Sequence, residues 1–206
     1  MKNYKYQSGE YSIMDKVLTP FWNKAVEFLP MWMAPNLVTL IGFSVLVIST
    51  LSFLPYDLTL TQPFNPFLYI MSSISVFIYQ TLDAIDGKQA RRTGTSSPLG
   101  QLFDHGCDAW STILTIFIPI QVLKMGASTP FFIYFLGLTT AFYAANWEEY
   151  HTHVLRSNYS GFGLTECQLF LIGILMVQGL TNGEFSEITM RRVGMMILPS
   201  INEGHV

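Results

Sequence analysis

Asp83, Asp86, Asp104 and Asp108 are the residues in this sequence whose types and spacing most plainly imply chemistry. Each pair lies at helical spacing, i and i+3 for Asp83 and Asp86, i and i+4 for Asp104 and Asp108, so each pair shares one helix face. The first pair follows directly on an apolar stretch, and the second falls inside another, together with His105. An ionisable group at membrane depth is costly and is by default a functional-site hypothesis. Four carboxylates converging in a low-dielectric site repel strongly unless cations neutralise them. The donors are hard oxygens with no thiolate cluster, which favours Mg²⁺, Mn²⁺ or Ca²⁺ over structural zinc. Two carboxylate pairs on neighbouring helices suit a two-metal clamp on a phosphate or diphosphate.

Smaller and basic residues surround the aspartates. Gly87 lies one turn beyond Asp83, and Gly100 one turn before Asp104. Both leave room for a ligand or for close helix packing. Lys88 and Arg91 can meet phosphate charge, Arg91 through its planar fork; an anchoring role at the membrane edge fits Arg91 and Arg92 equally well. His105 has an unperturbed pKa near 6.5, suited to proton transfer near neutral pH. His151 and His153 stand in a polar stretch with Glu148 and Glu149 and read as solvated interfacial groups. Cys107 and Cys167 suggest neither a disulfide framework nor a zinc site.

The elements that must position these residues are apolar. The 206-residue chain is 50% hydrophobic, 15% aromatic and 12% charged, with a net charge of −3 and a mean hydropathy of +0.35. A soluble domain carries about 25% charged residues. Five stretches without Asp, Glu, Lys or Arg hold 29, 25, 15, 23 and 17 residues, near the roughly 20 needed per membrane helix. The predicted fold is therefore all-α, a polytopic transmembrane bundle formed by one domain, 1–206, with about five spans at 37–54, 67–82, 99–123, 131–147 and 167–180. Pro35 and Asn36 open the first span. The 17–29 segment has the helical apolar spacing of an amphipathic helix, lying in the membrane interface or packed on the protein's own surface. The N-terminal lysines and Lys88, Arg91 and Arg92 mark one side as cytosolic, opposite the 55–66 loop. Arg191 and Arg192 then fall against that rule, unless the fifth segment does not cross or later spans follow.

The string Asp83-x2-Asp86-Gly87-x2-Ala90-Arg91-x8-Gly100-x3-Asp104-x3-Asp108 resembles, position for position, the full signature of the CDP-alcohol phosphotransferase family. The surrounding text, TLDAIDGKQARR through SPLGQLFDHGCD, is similar to the eukaryotic choline/ethanolamine phosphotransferase branch, and the similarity runs from about Tyr4 to at least Trp147. The resemblance implies a helical membrane enzyme that uses two Mg²⁺ or Mn²⁺ ions. It transfers phosphocholine or phosphoethanolamine from CDP-choline or CDP-ethanolamine to diacylglycerol and releases CMP.

By the same resemblance, Asp83, Asp86, Asp104 and Asp108 match the metal ligands and His105 the proton acceptor. Asn36, Tyr79, Gly87, Ala90, Arg91, Gly100 and Gln101 match substrate-contact positions, although Gln101 stands where a Glu is common. Glu166, in LTECQ, resembles the acid opening a later helix and is expected to support His105 or to favour the helix dipole. The implied setting is an endoplasmic reticulum or Golgi membrane, with the site facing the cytosol and a homodimer as the assembly. Nucleic acid is not an expected partner. Relatives in this branch continue through further spans, so the chain is expected to be incomplete at its C-terminus. Two other readings stay open: a different acceptor alcohol, or a truncated membrane protein that binds CDP-aminoalcohol without turning it over.

Overall fold

The computed structural model describes residues 11–53, 56, 59, 64–154, 158–159 and 161–185. Tyr4, most of the 55–66 loop and the Arg191–Arg192 pair lie outside them. The order of elements is α1 (Ile13–Ala25), a 3-10 turn (Val26–Phe28), α2 (Pro35–Leu51), α3 (Pro66–Thr93), α4 (Pro98–Val122), α5 (Thr129–Thr152), β1 (Asn158–Tyr159), β2 (Phe162–Gly163) and α6 (Leu164–Leu180). The fold is mostly helical, as expected, with one two-residue antiparallel β pair leading into α6. The helices run past the predicted spans at their polar ends. In particular α3 continues through Asp83 and Asp86 to Thr93, where Gly94 at φ +67° ends it. The backbone N–H groups of Gly94 and Thr95 close that end on Arg91 and Ala90 carbonyls, a left-handed cap that glycine adopts without steric cost.

Among the described residues, α3 is long and apolar enough to cross a membrane, while α2 and α6 are apolar but shorter. The first half of α4 holds Asp104, His105 and Asp108, and α5 ends in Glu148, Glu149 and His151, which dilute their apolar character.

Helix α3 packs against α2 on one side and α6 on the other, and α2 also lies against α4, which carries α5. The core between α2, α3, α4 and α6 holds Leu46, Tyr69, Val76, Ile118 and Leu175. Full burial of one such side chain contributes about 1.5–3 kcal/mol. Polar stitches fix the register: Ser49 Oγ meets Ser72 Oγ at 3.0 Å, and Ser73 Oγ donates to the Ile172 carbonyl at 2.9 Å. At Gly179 a methyl group would sit 2.5 Å from Ile70 Cγ1 and 3.0 Å from the Pro66 carbonyl oxygen. Glycine lets the backbones of α3 and α6 approach closely.

The N-terminal segment answers the alternative left by its sequence. Trp22 and Val26 are buried with Val38 and Ile85 of the bundle, while Ile13, Val17, Phe21, Phe28 and Trp32 remain exposed. Ser12 and Asp15 form a reciprocal capping box at the start of α1. The first turns of α1 and α6 then exchange acids: Thr165 Oγ1 donates to Asp15 Oδ1 at 2.5 Å, and the Met14 N–H donates to Glu166 Oε1 at 2.8 Å. Arg92 closes the other end, donating to the Val26 and Leu29 carbonyls at 2.9 and 2.7 Å.

Replacing Gly179 with Ala places Cβ against α3 backbone and is expected to destabilise the fold by about 1–3 kcal/mol. Thermal unfolding of the purified protein checks this. A Gly179→Ala variant as stable as the parent would contradict the close α3–α6 contact.

Candidate metal and phosphate site

The site forms where the second half of α3 faces the first half of α4. One carboxylate oxygen from each of Asp83, Asp104 and Asp108 lies within 4.8 Å of the other two. Oxygens on opposite sides of a bound Mg²⁺, Mn²⁺ or Ca²⁺ are about 4–5 Å apart, so the spread suits a shared ion. The pairs meet across the helices: Asp83 contacts Asp108, and Asp86 contacts Asp104. Asp86 is buried and accepts a 2.5 Å hydrogen bond from Thr39 Oγ1 of α2. It stands beside the group of three, not within it.

Asp104 Oδ1 is buried and, among the described residues, has no hydrogen-bond partner. An orphaned buried acceptor is costly, and a cation there would satisfy it. The donor set is entirely oxygen, the carboxylates converge, and one oxygen is left unpaired; the residues fit a divalent cation. Tyr79, a substrate-contact position by the resemblance, is buried and donates to Asp108 Oδ1 at 2.7 Å. Its hydroxyl also meets Ser111 Oγ at 2.7 Å. Tyr79 therefore orients the Asp108 carboxylate, in the way that groups behind metal sites commonly do.

The glycines and basic residues divide. A methyl group at Gly100 would lie 3.3 Å from Ser97 Oγ and 3.4 Å from Asn36 Oδ1. This brings the first turns of α2 and α4 together at the edge of the site, with Asn36 exposed. Helix α2 is capped at Ala34 and opens on Pro35 and Asn36, as expected. Gly87, Ala90 and Arg91 follow one another on the final turns of α3, and a methyl group at Gly87 would sit 3.6 Å from Arg91 Nη1. Arg91 is exposed there. Lys88 turns away and donates to Asn23 Oδ1 at 2.9 Å, and Arg92 serves the 3-10 turn, so of the basic cluster Arg91 remains beside Gly87.

His105 is half-buried one residue from Asp104, and its Nδ1 lies 3.6 Å from Glu149 Oε2 of α5. Gln101, one turn earlier on α4, donates to the other oxygen of Glu149 at 2.7 Å. Glu166 lies in the first turn of α6, where its oxygens take the N–H groups of Met14 and Gly163, each at 2.8 Å, a geometry that matches the helix-dipole alternative. Glu149 is the residue that sequence reasoning missed. Its signal was an acid at the end of an apolar helix, hidden within the polar string Glu148 to His153.

The site is thus an acidic centre carried by two helices. The chain belongs to the CDP-alcohol phosphatidyltransferase family, whose model matches residues 32–198. Among similar proteins are the choline/ethanolaminephosphotransferase 1 of Saccharomyces cerevisiae, 44% identical over 78% of this chain and 42% of its own length, and the human cholinephosphotransferase 1, 35% identical over 97% and 49%. A CDP-alcohol phosphatidyltransferase class-I family protein of Schizosaccharomyces pombe is 41% identical over 90% and 48%. The chain spans about half the length of the curated relatives it matches.

Asp104→Asn keeps the side-chain volume but removes the charge, and is expected to weaken Mn²⁺ binding at least about tenfold. Tyr79→Phe, which frees Asp108 Oδ1 from its donor, is expected to weaken it less. Electron paramagnetic resonance titration with Mn²⁺ reads both, and unchanged affinity in Asp104→Asn would overturn the assignment.

Proposed function

We propose that this chain transfers phosphocholine or phosphoethanolamine from CDP-choline or CDP-ethanolamine to the free hydroxyl of diacylglycerol, releasing CMP. The observation that carries the reading is the convergence of Asp83, Asp104 and Asp108 within 4.8 Å, one residue from a histidine held against an acid. Family membership and the names of the relatives support the same reaction.

Asp83, Asp86, Asp104 and Asp108 would hold two divalent ions, Mg²⁺ or Mn²⁺. When bound, these offset the diphosphate charge and favour departure of CMP. The chain's own residues do the rest. Arg91, exposed at the end of α3, meets phosphate charge through its fork. Asn36 and Gly100, which face one another where α2 and α4 begin, form the edge at which the nucleotide enters. Gln101 contributes through Glu149, and Tyr79 through Asp108. His105 Nε2 accepts the proton of the acceptor hydroxyl. The hydroxyl oxygen forms a bond to the phosphorus bearing the aminoalcohol, the bond from that phosphorus to the bridging oxygen breaks, and CMP leaves with the electron pair.

The apolar helices place this chemistry in a bilayer. We read α2 to α6 as membrane spans of an endoplasmic reticulum or Golgi protein, with the site on the cytosolic side. Lys88, Arg91 and Arg92 at the polar end of α3 give that orientation. Phe132, Ile133, Leu136, Tyr143 and Trp147 leave α5 with an exposed apolar face suited to lipid or to a second copy in a homodimer. Diacylglycerol reaches His105 from the bilayer, between helices.

The test is an assay of the purified chain in lipid nanodiscs with diacylglycerol, Mg²⁺ and each radiolabelled CDP-aminoalcohol. Labelled phospholipid and CMP are expected in equal amounts, and Asp104→Ala or Asp108→Ala is expected to lower both rates by more than about 10²-fold. Absence of product from both donors, or full activity in both variants, would refute the reading.

A further inference from the structure

We propose that Glu149 is a positioning residue that decides which ring nitrogen of His105 carries the proton. Its carboxylate bridges two successive turns of α4. Oε1 accepts from Gln101 Nε2 at 2.7 Å, and Oε2 lies 3.6 Å from His105 Nδ1, with the Glu149 side chain only 11% exposed. Gln101 and His105 are i and i+4, so they share one face and one partner can serve both.

The Nδ1 contact is longer than a hydrogen bond, yet its polarity still selects a tautomer. A carboxylate only accepts. An imidazole nitrogen facing it is favoured as N–H, because a lone pair aimed at the anion is repelled. The proton therefore resides on Nδ1, and Nε2 is left bare. Hydrogen bonds of this kind commonly tighten when substrate binds. Asp108, the other acid acting on this ring, is already committed to Tyr79 at 2.7 Å. Gln101 holds Glu149 in place by its amide N–H, a role its own type permits because the amide both donates and accepts. The use of bare Nε2 as proton acceptor rests on the transfer reaction proposed above; the tautomer does not.

The bridge makes an unusual prediction about swapping its ends. In Glu149→Gln the amide of Gln101 still seeks the oxygen at position 149. The new NH₂ then faces His105 Nδ1 and donates to it, so the proton moves to Nε2. Adding Gln101→Glu reverses this. The carboxylate at 101 takes the NH₂ of residue 149, whose oxygen turns back to Nδ1 and restores the first tautomer.

The experiment uses the full chain labelled with ¹⁵N-histidine, in nanodiscs at one fixed pH, with the His105 signals assigned by their loss in His105→Ala. The parent is expected to show protonated Nδ1 and bare Nε2, Glu149→Gln the reverse, and the double swap the parent pattern. In turnover, Glu149→Gln is expected to lower kcat by about 10²-fold with the donor KM within about twofold, and the double swap to regain most of the loss. A tautomer unchanged by Glu149→Gln, or a loss that falls on KM and is not rescued by the swap, would overturn the proposal. If Glu149→Gln fails to fold, Glu149→Asp gives the same decision: it is expected to keep Nδ1 protonated, and a mixed tautomer in it would contradict the role. The expected tautomer reversal in Glu149→Gln, together with a parent that makes no product, would uphold the positioning role and refute the transfer reaction instead.

Discussion

Carboxylates on α3 and α4 are brought into contact in a part of the bundle that water reaches poorly, and most of the structure can be read as the means of holding them there. Like charges at such distances repel strongly in a low-dielectric setting. Two helices carrying them separate unless other contacts hold them or cations lie between. The holding contacts are visible. Thr39 of α2 ties down Asp86, Tyr79 ties down Asp108, and the apolar core around Leu46, Val76 and Ile118 joins α2, α3 and α4. Helix α6 supports α3 from behind through the close approach at Gly179. Asp104 Oδ1, buried and without a hydrogen-bond partner among the described residues, is where a ligand can complete the balance.

A second layer of positioning lies around these carboxylates. It consists of groups whose partners are neither metal nor substrate: Ser111 behind Tyr79, Tyr79 behind Asp108, Gln101 behind Glu149, and Glu149 behind His105. Each link constrains a rotamer, and preorganised geometry of this sort is where enzymes gain much of their rate. Helix α5, which buries none of its residues fully, has Glu149 as its polar contribution to the site. The N-terminal helix contributes at a distance, because Arg92 and Glu166 lock it to the ends of α3 and α6 and so fix the polar end of the bundle.

The helices and the acidic pairs were legible in the sequence because both depend on short periods. Apolar runs bounded by Pro35, Pro66, Pro98 and Pro130 fix helix starts, and spacings of three and four residues place aspartates on one face. What could not be read were partnerships across long separations. Glu149 lies 48 residues from Gln101, and nothing local distinguishes it from its solvated neighbours. Glu166 shows the converse: an acid opening a helix carries the same local signature whether it serves a histidine, its own dipole or another helix, and here it bonds Met14, 152 residues away. Lys88 and Arg92 were equally ambiguous, since a basic side chain near a diphosphate site can serve the ligand or the scaffold. Their carbonyl and amide partners in the 23–29 segment assign them to the scaffold.

The central claim is that the α3–α4 carboxylates form a divalent-cation site for a CDP-linked diphosphate. Anomalous scattering at the manganese edge, from crystals grown with Mn²⁺ and CDP-choline, tests it most directly. Anomalous density is expected between Asp83, Asp104 and Asp108, adjoining Asp86, with the diphosphate oxygens against it. Density confined to other parts of the molecule, or a diphosphate bound away from these four residues, would contradict it.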